Sequence, residues 1–403
     1  METLLIENSN NTKAYYINLE ERLDRKENIE KELSKLNINY ERFNAVKHTI
    51  GALGCTISHM KALEKGLKDD IENIIIVEDD FCLEISEKEA IDILNKILKQ
   101  DFNIMSLSYH NPVIQPIELY DNNLSFMKNC QTATFYIVKR SFAPILIQNY
   151  KDTIIQRLKN PENSDLINDQ SWKKLQTIEN KFYCSIPRIG RQIPSWSDIE
   201  YKNVDYGGSC FMGILSCEKY KNRRESQDLS KCPFVYRYFI GNADIKEPTE
   251  DYQNKIVYLP CSDDYGSLPQ KVMMMNKWIL KNYPFIDYLF KTDDDIRFNF
   301  INLFENFKQV ILNKYDYAGY KADVSDHVSG YFKEKDPSNP LVFVPATKYC
   351  AGGGYFLSKK CVSIVSQMET FSTVYEDQSI GYILNQNNIY PNHINIHNHS
   401  CFF

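Results

Sequence analysis

The chain carries two short apolar runs that each end in a triplet of acidic residues. The first is IIIVEDDF at Ile74–Phe81, and the second is YLFKTDDDI at Tyr288–Ile296. Short runs rich in β-branched and aromatic residues that end in a polar turn are typical of buried strands. In an open α/β sheet the ligand crevice lies outside the carboxyl ends of the strands. The two acidic triplets therefore predict two ligand-binding sheet edges in one chain.

Strand-like and helix-like segments alternate around both triplets. In the first half, the strand-like run Ala14–Leu19 precedes a helical pattern around Ile29, and a second helical pattern covers Cys55–Leu67. The second half repeats this order with Phe211–Cys217 as a strand and Lys271–Leu280 as a helix. This alternation predicts an α/β fold in which each half has a mixed, mainly parallel sheet flanked by helices. The halves share an order of elements rather than a sequence.

The length of the chain indicates two domains. Its 403 residues exceed what one hydrophobic core usually serves. The best linker is Lys202–Ser209, a polar stretch that ends with a glycine pair. We therefore expect one domain over residues 1–206 and another over residues 207–403.

Charge and hydropathy exclude several classes of protein. The formal net charge is −6 and no long basic run occurs, so nucleic acid is not an expected partner. The N-terminus has no secretory signal pattern, and no run approaches the ~20 apolar residues that span a bilayer. The 11 cysteines lack zinc-binding spacing and many lie in apolar runs, which favours buried free thiols. We expect a cytoplasmic protein without a transmembrane segment.

The acidic triplets are suited to a hard divalent cation. Carboxylate oxygens can hold such a cation, and the cation can neutralise a diphosphate leaving group. If the second strand continued through its triplet, Asp293 and Asp295 would point to the same side of the sheet. Acidic residues after a strand can also be helix caps or solvated turn residues. The recurrence of the triplet in both halves favours the functional interpretation.

Several stretches of the first half occur together in a specific order. They are YYINLEERLDRKENIEKEL at Tyr15–Leu33, GALGCTISHMKALEKG at Gly51–Gly66, IIIVEDDF at Ile74–Phe81, NDQSW at Asn168–Trp172 and IPSWSDIE at Ile193–Glu200. This combination resembles the glycosyltransferase family 25 domain of lipooligosaccharide synthesis enzymes and collagen galactosyltransferases. The resemblance covers roughly residues 13–206.

This resemblance implies a set of site residues. Those expected beside the nucleotide and the donor sugar are Arg22, Arg25, Gly54, Ser58 and His59. By the same resemblance Glu78, Asp79 and Asp80 form the acidic metal or sugar motif, and Asp169 is a candidate catalytic base. Structural alternatives stay open, because His59 could be a core histidine, Asp169 a helix cap and the arginines solvated helix charges. Forked guanidinium groups suit a diphosphate, which favours the functional role of the arginines.

The second half contains another ordered set of stretches. They are SCEKYKNRRES at Ser216–Ser226, RYFIG at Arg237–Gly241, DDYGSLPQKVMMMNKW at Asp263–Trp278, LFKTDDDIRFN at Leu289–Asn299, YCAGGGYFLS at Tyr349–Ser358 and YEDQSIGYIL at Tyr375–Leu384. The set resembles glycosyltransferase family 31, the β-1,3-galactosyl- and N-acetylglucosaminyltransferase group that includes Fringe-like enzymes. It departs from the family where Arg223-Arg224 is followed by Glu225-Ser226-Gln227 instead of the usual Arg/Thr-Trp ending.

This second resemblance also implies site residues. The residues expected in the metal motif or near the donor are Lys271, Asp293, Asp294 and Asp295. Gly352–Gly354 would bound the acceptor side, and Asp377 or Glu376 would be the base. His397 would be a metal ligand, although a solvated tail histidine is the alternative.

Together the resemblances imply two nucleotide-sugar-binding domains of the GT-A type. Each would transfer a sugar from a UDP-sugar to a hydroxyl of a glycan or glycoconjugate acceptor, with inversion and with Mn²⁺ or Mg²⁺. Two domains on one chain suggest successive additions to one growing glycan. One alternative keeps a single domain catalytic and makes the other an acceptor-binding or structural unit. The non-enzymatic alternative is a lectin-like or scaffold protein.

Overall fold

The chain divides into two compact units, Met1–Gly207 and Gly208–Phe403. The computed structural model describes residues 11–110, 124–127, 130–163, 165–177, 179–197, 202–204, 208–230, 232–396 and 400–402. Each unit places helices against a central mixed sheet, which confirms the α/β prediction.

The first unit contains one large sheet and two short ribbons. Its strands are β1 (Thr12–Asn18), β2 (Tyr40–Asn44), β3 (Asn73–Glu78), β4 (Phe81–Leu83), β5 (Ile104–His110), β6 (Leu124–Phe126), β7 (Gln131–Lys139), β8 (Phe182–Ser185), β9 (Gly190–Gln192), β10 (Ser195–Ser197) and β11 (Lys202–Val204). The sheet has the order β2-β1-β3-β7-β5-β8-β6, and the ribbons are β4-β9 and β10-β11. Strand β1 is parallel to β2 and β3, whereas β7 is antiparallel to β3 and β5.

Helices cover this sheet and bury an aromatic core. They are α1 (Leu23–Lys35), α2 (Gly51–Lys68), α3 (Glu87–Leu98), α4 (Ala143–Lys159) and α5 (Asn168–Ser171). The core includes Ile74 and Ile76 from β3, Tyr136 from β7, and Trp172 just after α5. Burying large apolar side chains of this kind is the main stabilising contribution to such a unit.

The second unit has one large sheet of the same general plan. Its strands are β12 (Cys210–Leu215), β13 (Val235–Gly241), β14 (Thr249–Asp251), β15 (Ile256–Leu259), β16 (Tyr288–Asp293), β17 (Ile296–Phe298), β18 (Tyr317–Val324), β19 (His327–Ser329), β20 (Val342–Val344), β21 (Thr347–Ser358), β22 (Asn392–His393) and β23 (Ser400–Phe402). Its helices are α6 (Lys221–Ser226), α7 (Leu268–Asn282), α8 (Phe300–Leu312), α9 (Tyr331–Lys335), α10 (Lys359–Ser366) and α11 (Glu376–Gln386). The sheet has the order β14-β15-β13-β12-β16-β21-β18-β22.

Strand register places both acidic triplets at equivalent sheet edges. Strands β1 and β3 are parallel, with Ile17 opposite Glu78. Strands β12 and β16 are also parallel, with Leu215 opposite Asp293. In both units the strand that carries the triplet pairs on its other side with a long antiparallel strand, β7 or β21. Each triplet therefore begins where two parallel strands end together.

Two details differ from the sequence expectations. The predicted linker is partly ordered, because Lys202–Val204 forms strand β11 and pairs with β10. Strand β16 ends at Asp293 and the chain then turns, so Asp293 and Asp295 do not continue one strand.

Within the described residues no helix is long and apolar enough to cross a membrane. The cysteines whose side chains are described are free thiols.

Candidate functional sites

In the first unit, an arginine from α1 binds the last two acids of the triplet. Arg25 Nη1 lies 3.1 Å from Asp79 Oδ1 and 3.3 Å from Asp80 Oδ2. Asn18, at the end of β1, donates from Nδ2 to Asp79 Oδ2 at 2.7 Å. Arg25 is also fixed by Ser195 Oγ, which accepts from Nη2 at 2.8 Å. The guanidinium thus bridges two carboxylates, as a forked donor can.

The first acid of this triplet faces a different set of partners. Glu78 Oε1 lies 3.2 Å from Nε2 of the buried His59, and Glu78 Oε2 accepts from Thr134 Oγ1 at 2.8 Å. Gln192 Nε2 donates to Glu78 Oε2 at 3.1 Å and lies 3.4 Å from both carboxylate oxygens of Asp80. Cys55 Sγ lies 3.9 Å from Glu78 Oε1. Glu78 is therefore the centre of a mixed polar network.

Burial and neighbouring charges give the three carboxyl groups of the first triplet different pKa values. Burial raises the pKa of Glu78, but the His59 imidazole and the Thr134 hydroxyl outweigh it, so the pKa is lowered overall. Burial, followed by the charge of Glu78, raises the pKa of Asp80 to about 7. Burial also raises the pKa of Asp79, against the opposing effect of Asn18 and Arg25. A carboxyl with a lowered pKa thus lies beside one whose pKa is raised to about 7.

Asp169 lies in the first turn of α5 and faces the same edge. Its Oδ2 accepts from the backbone N–H of Thr132 on β7 at 2.9 Å. Burial raises the pKa of Asp169, and the charge of Glu78 adds to this effect. The raised pKa, the fixed orientation and the neighbouring triplet are properties expected of a general base.

In the second unit, an arginine from α6 binds the last two acids in the same way. Arg223 Nη1 lies 3.5 Å from Asp294 Oδ1 and 3.2 Å from Asp295 Oδ2. Ser216, directly after β12, donates from Oγ to Asp294 Oδ2 at 2.6 Å. The guanidinium of Arg223 lies over the ring of Tyr220, 3.9 Å from its centroid. The arginine therefore bridges two carboxylates and stacks on an aromatic face.

A buried lysine holds the first acid of the second triplet. Lys291 Nζ lies 2.9 Å from Asp293 Oδ1 and 2.8 Å from Glu376 Oε2, and donates to Gly352 O at 2.8 Å. Tyr355 donates its hydroxyl to the other oxygen of Glu376. Burial raises the pKa of Asp293 to about 6, against the opposing charge of Lys291. Burial lowers the pKa of Lys291, but the charges of Asp293 and Glu376 have the larger, opposite effect, so its pKa is raised overall.

Asp377 lies beside this network in the first turn of α11. Its Oδ2 accepts from the backbone N–H of Gly352 on β21 at 3.1 Å, and its Oδ1 accepts from Gln378 N at 2.9 Å. Burial raises the pKa of Asp377, against the opposing charge of Lys291. Glu376 is engaged by Lys291 and Tyr355, whereas Asp377 is held by backbone amides, so Asp377 is the better oriented candidate base of the two.

The two sites correspond residue by residue. The matched pairs are Asn18 with Ser216, Arg25 with Arg223, Glu78 with Asp293, Asp79 with Asp294, Asp80 with Asp295, and Asp169 with Asp377. In each unit the arginine follows the polar residue after the first strand by seven positions. The tripeptide Asp-Gln-Ser begins at the second residue of both α5 and α11, at Asp169 and at Asp377. The same constellation is thus built twice from different strands and helices.

The other predicted residues of the first unit have supporting positions. Ser58 donates to Gly54 O at 2.6 Å and accepts from Val46 N at 2.8 Å, which fixes α2 against the preceding loop. A Cβ on Gly54 would lie 2.5 Å from Val46 O, so only glycine permits this approach. Arg22 binds Asp24 on the surface, with Nη2 3.0 Å from Oδ2. Ser58 and Gly54 therefore position the helix that carries His59.

In the second unit, Lys271 lies behind the acidic triplet. Its buried Nζ lies 2.7 Å from Asp263 Oδ1 and donates to Ser216 O at 2.9 Å. Ser216 in turn binds Asp294, so Lys271 supports the strand end that holds the triplet. The predicted metal ligand His397 lies outside the described residues.

The residues around each triplet fit a divalent cation. In the second unit, Asp293 and Asp295 offer carboxylate oxygens, the ligands that Mn²⁺ and Mg²⁺ prefer. Asp295 is 40% exposed at its side chain, so one ligand already faces solvent. The buried cation Lys291 and the arginine Arg223 compensate part of the negative charge of these carboxylates. Without these cations, repulsion among the three adjacent carboxylates would destabilise the folded unit.

The site residues that sequence analysis missed include Asn18, Ser216, Arg223 and Lys291. A signal for three of them was present, because the seven-residue spacing from Asn18 to Arg25 recurs from Ser216 to Arg223. The role of Lys291 had no comparable signal. Its partner Glu376 is distant in sequence, and an apolar strand run gives no indication of a buried ion pair.

Comparisons with known families match both halves. The family described as glycosyltransferase family 25 (LPS biosynthesis protein) matches residues 11–50 and 47–166, and the family described as galactosyltransferase matches residues 237–395. These matches confirm the fusion that the motifs predict. They include both acidic triplets, and the second also includes Asp377.

Individual relatives match part of the second half. UDP-GalNAc:beta-1,3-N-acetylgalactosaminyltransferase 1 of Mus musculus is 28% identical over 126 residues, and the Homo sapiens protein is 26% identical over the same length. Each match covers 30% of this chain and 38% of the relative, so the chain spans about two-fifths of their length. A solved glycosyltransferase involved in glycosylation of the major capsid of PBCV-1 has a TM-score of 0.32 at 10% identity, covering 47% of this chain and 96% of that one. The chain is thus similar to glycosyltransferase family 25 over residues 11–166 and to the galactosyltransferase family over residues 237–395.

Proposed function

We propose that each unit transfers a sugar from a UDP-sugar to a hydroxyl of a glycan or glycoconjugate. The observation that supports this proposal best is the duplicated constellation of arginine, acidic triplet and backbone-held aspartate. A degenerate binding domain would be expected to lose some of these residues, whereas each set is complete. The duplication therefore favours two catalytic units over one catalytic unit with a passive partner.

The proposed reaction assigns a distinct task to each residue. The oxygen of the acceptor hydroxyl forms a bond to the anomeric carbon, and the bond from that carbon to the diphosphate oxygen breaks. The bonding electron pair leaves with UDP, and the hydroxyl proton moves to Asp169 in the first unit or Asp377 in the second. Attack opposite the leaving group inverts the anomeric carbon.

The candidate bases are suited to this proton transfer. A carboxyl whose pKa is raised towards neutral pH accepts a proton more effectively than an ordinary aspartate. Burial raises the pKa of both Asp169 and Asp377, and a backbone amide orients each of them. Glu376 acts as a positioning residue, because Lys291 and Tyr355 already occupy its two oxygens.

The arginines are proposed to bind the donor diphosphate. Arg25 and Arg223 each contact two carboxylates, and both lie at the sheet edge where a diphosphate would bind. Each arginine reaches its two acids through Nη1 alone, and a guanidinium can bind phosphate oxygens through two of its nitrogens. When bound, Mn²⁺ or Mg²⁺ held by Asp293 and Asp295 would neutralise the charge of the departing diphosphate. For the first unit we propose Glu78 and Asp80 as the corresponding carboxylates.

The donor of the second unit is proposed to be a UDP-hexose or a UDP-N-acetylhexosamine. The named relatives use UDP-GalNAc, and their similarity covers part of the second half. We further propose that the two units act in succession on one glycan, because a product of the first site stays close to the second on one chain. The cytoplasmic location stays a prediction.

A UDP-release screen tests the proposal. Wild-type protein, Asp80→Ala and Asp295→Ala are incubated with a panel of UDP-sugars, Mn²⁺ and simple sugar acceptors, and released UDP is measured. The exposed Asp244 provides a control substitution, Asp244→Ala. We expect each triplet variant to lose UDP release from a different donor while Asp244→Ala retains both. Loss of all release in Asp295→Ala alone would leave the first unit without its own activity, and absence of release from every donor in wild type would contradict the proposal.

A further inference from the structure

The first unit contains a group of side chains whose chemistry differs from that of the second. Cys55 and His59 lie one helical turn apart on α2, so both project from the same face. Glu78 at the end of β3 faces them. One ligand atom from each of these three residues lies within 4.8 Å of the others. In the second unit the first acid, Asp293, has the buried Lys291 as its partner. A charged lysine cannot act as a metal ligand.

We propose that Cys55, His59 and Glu78 form a transition-metal site, of the kind that Zn²⁺ or Co²⁺ occupies. Bond lengths of about 2.0–2.3 Å in tetrahedral zinc sites place the ligand atoms roughly 3.3–3.8 Å apart. Here His59 Nε2 is 3.2 Å and Cys55 Sγ is 3.9 Å from Glu78 Oε1. Two of the three separations are therefore close to those of a single bound ion, and the third is within 4.8 Å.

The surroundings of His59 are those of a metal ligand. Its Nδ1 lies 2.9 Å from the hydroxyl oxygen of Tyr136, and its ring is nearly parallel to the Tyr136 ring. This contact fixes the orientation of the imidazole and directs Nε2 towards Glu78. Metal-binding histidines are commonly held in this way through the second ring nitrogen.

A second observation points to a missing partner at this position. Asn168 Oδ1 lies 3.8 Å from Cys55 Sγ, and Asn168 Nδ2 has no hydrogen-bond acceptor among the described residues. Turning the amide over would direct the N–H groups towards the sulfur. A thiolate bound to a metal accepts such a hydrogen bond, so the free donor is accounted for by a metal-bound Cys55.

Access and ligand number indicate the type of site. Cys55 and Glu78 are half-buried rather than fully enclosed, which leaves a route for the ion. Three protein ligands leave the fourth tetrahedral position open, as in catalytic zinc sites. A thiolate and an imidazole favour Zn²⁺ or Co²⁺ over Mn²⁺ and Mg²⁺. This inference rests on the proposed function in one respect: the ion would take the place, in the first unit, of the Mn²⁺ or Mg²⁺ proposed for the second, and Glu78 would be the carboxylate ligand common to both assignments.

Cobalt spectroscopy on the full-length protein tests the site without an activity assay. Metal-stripped protein is titrated with Co²⁺ and its absorption recorded. We expect the visible bands of tetrahedral Co²⁺ together with a near-ultraviolet thiolate-to-cobalt band, and displacement by Zn²⁺ at far lower concentration than by Mn²⁺. Cys55→Ser should abolish the thiolate band, while Cys217→Ser, which changes a cysteine of similar exposure in the second unit, should retain it.

A third variant tests the contact between the Tyr136 hydroxyl and His59. Tyr136→Phe keeps the aromatic core and removes the hydroxyl next to His59, so Co²⁺ affinity should fall by about 10–100-fold with the thiolate band retained. Thermal melting of each variant shows whether it is folded. A wild-type spectrum without a thiolate band, or a band that survives in Cys55→Ser, would overturn the metal site. Either result with donor-dependent UDP release intact leaves the proposed function standing, whereas a thiolate band without release from any donor supports the metal site alone.

Discussion

Several acidic residues in these sites are held where ionisation is unfavourable. The pKa of Asp80 is raised to about 7 by burial and by Glu78, and that of Asp293 to about 6, mainly by burial. A raised carboxyl pKa means that the folded protein binds the proton more tightly than the unfolded chain does. The charge needed for function therefore lowers stability at neutral pH, as is common at functional sites.

Asp80→Asn is expected to separate stability from activity. Well below pH 4 Asp80 is protonated in both the folded and the unfolded state, so its pKa shift has no effect on stability there, and near pH 4 the effect is still small. As pH rises from there to about 7, only the unfolded chain ionises freely, so wild type loses free energy of unfolding that the amide variant keeps. Above pH 7 we expect the free energy of unfolding of Asp80→Asn to be about 1–3 kcal/mol larger than that of wild type.

Denaturant unfolding at pH 4 and pH 8 measures this difference. UDP release from the donor of the first unit should be lost in the same variant. Equal stability differences at the two pH values would show that Asp80 is not held in an unfavourable ionised state.

Lys291 is expected to be essential to the stability of the second unit. Removing it leaves Asp293 and Glu376 as neighbouring buried carboxylates without their cation. Breaking a buried ion pair in this way costs about 3–5 kcal/mol. Lys291→Met should therefore lower the free energy of unfolding by that amount, measured by denaturant titration. The exposed pair of Lys308 and Glu305 supplies the control Lys308→Met, for which less than about 1 kcal/mol is expected.

A double variant distinguishes charge from packing at this position. Adding Glu376→Gln to Lys291→Met removes one uncompensated charge and should restore part of the lost stability. No recovery would indicate that the lysine stabilises the unit through its packing rather than through its charge.

At the scale of elements, the sequence predicted those with strong local patterns. The strand predicted at Ala14–Leu19 is observed at Thr12–Asn18, and the one predicted at Phe211–Cys217 is observed at Cys210–Leu215. Helices α3, α4 and α8 were not predicted, although Ser86 forms a capping box before α3. The long strand β21 was missed because the glycine run at Gly352–Gly354 resembles a loop, whereas pairing with β16 and β18 on its two sides holds it extended.

The partners within each site were predicted less well than the elements. The acidic triplets and the Asp-Gln-Ser helix starts are local patterns and could be read from the sequence. The contacts of Arg25 with Asp79 and of Lys291 with Glu376 join residues 54 and 85 positions apart. Such contacts depend on strand register and on how α1 and α11 pack against the sheet, and both are set by tertiary packing.

Two glycines are expected to respond differently to alanine. A Cβ on Gly54 would lie 2.5 Å from the Val46 carbonyl oxygen, so Gly54→Ala should displace α2 and lower the melting temperature. A Cβ on Gly352 would meet nothing closer than Glu376 Oε2 at 3.5 Å, so Gly352→Ala should fold normally. Because that methyl group would also lie 3.6 Å from Asp377 Oδ2, transfer to the acceptor should decrease.

Thermal melting and acceptor-dependent transfer, measured on both variants, test these expectations. Gly330→Ala is a control, since its Cβ would meet only Leu341 at 3.7 Å. A normal melting temperature for Gly54→Ala would show that α2 tolerates displacement, and full transfer by Gly352→Ala would place the acceptor elsewhere.

At the scale of the whole molecule, the two compact units carry separate sites. Each unit has its own core, its own sheet and a complete set of matched residues. Duplicated sites of this kind allow different donors to be handled by one chain. They also make the number of bound nucleotides a direct measure of how many sites function.

Calorimetric titration with UDP and Mn²⁺ is expected to give two binding sites per chain. Arg25→Ala and Arg223→Ala should each remove one site, because each takes away the guanidinium proposed to bind the diphosphate. The double variant should bind no UDP. Arg140→Ala, which changes an arginine that pairs with Asp70 on the surface of the first unit, provides a control that should retain two sites. A stoichiometry of one in wild type would contradict two functional donor sites.

The arginine that bridges each pair of acids also has a consequence for turnover. After transfer, UDP must leave a crevice lined with carboxylates that had been neutralised by its cation. Because Arg25 and Arg223 lie within reach of those carboxylates, departure becomes an exchange of one counter-ion for another rather than the exposure of bare negative charge. Under the proposed function, the arginine offsets part of the carboxylate charge once the nucleotide and its cation have left, which favours release of UDP and weakens product inhibition.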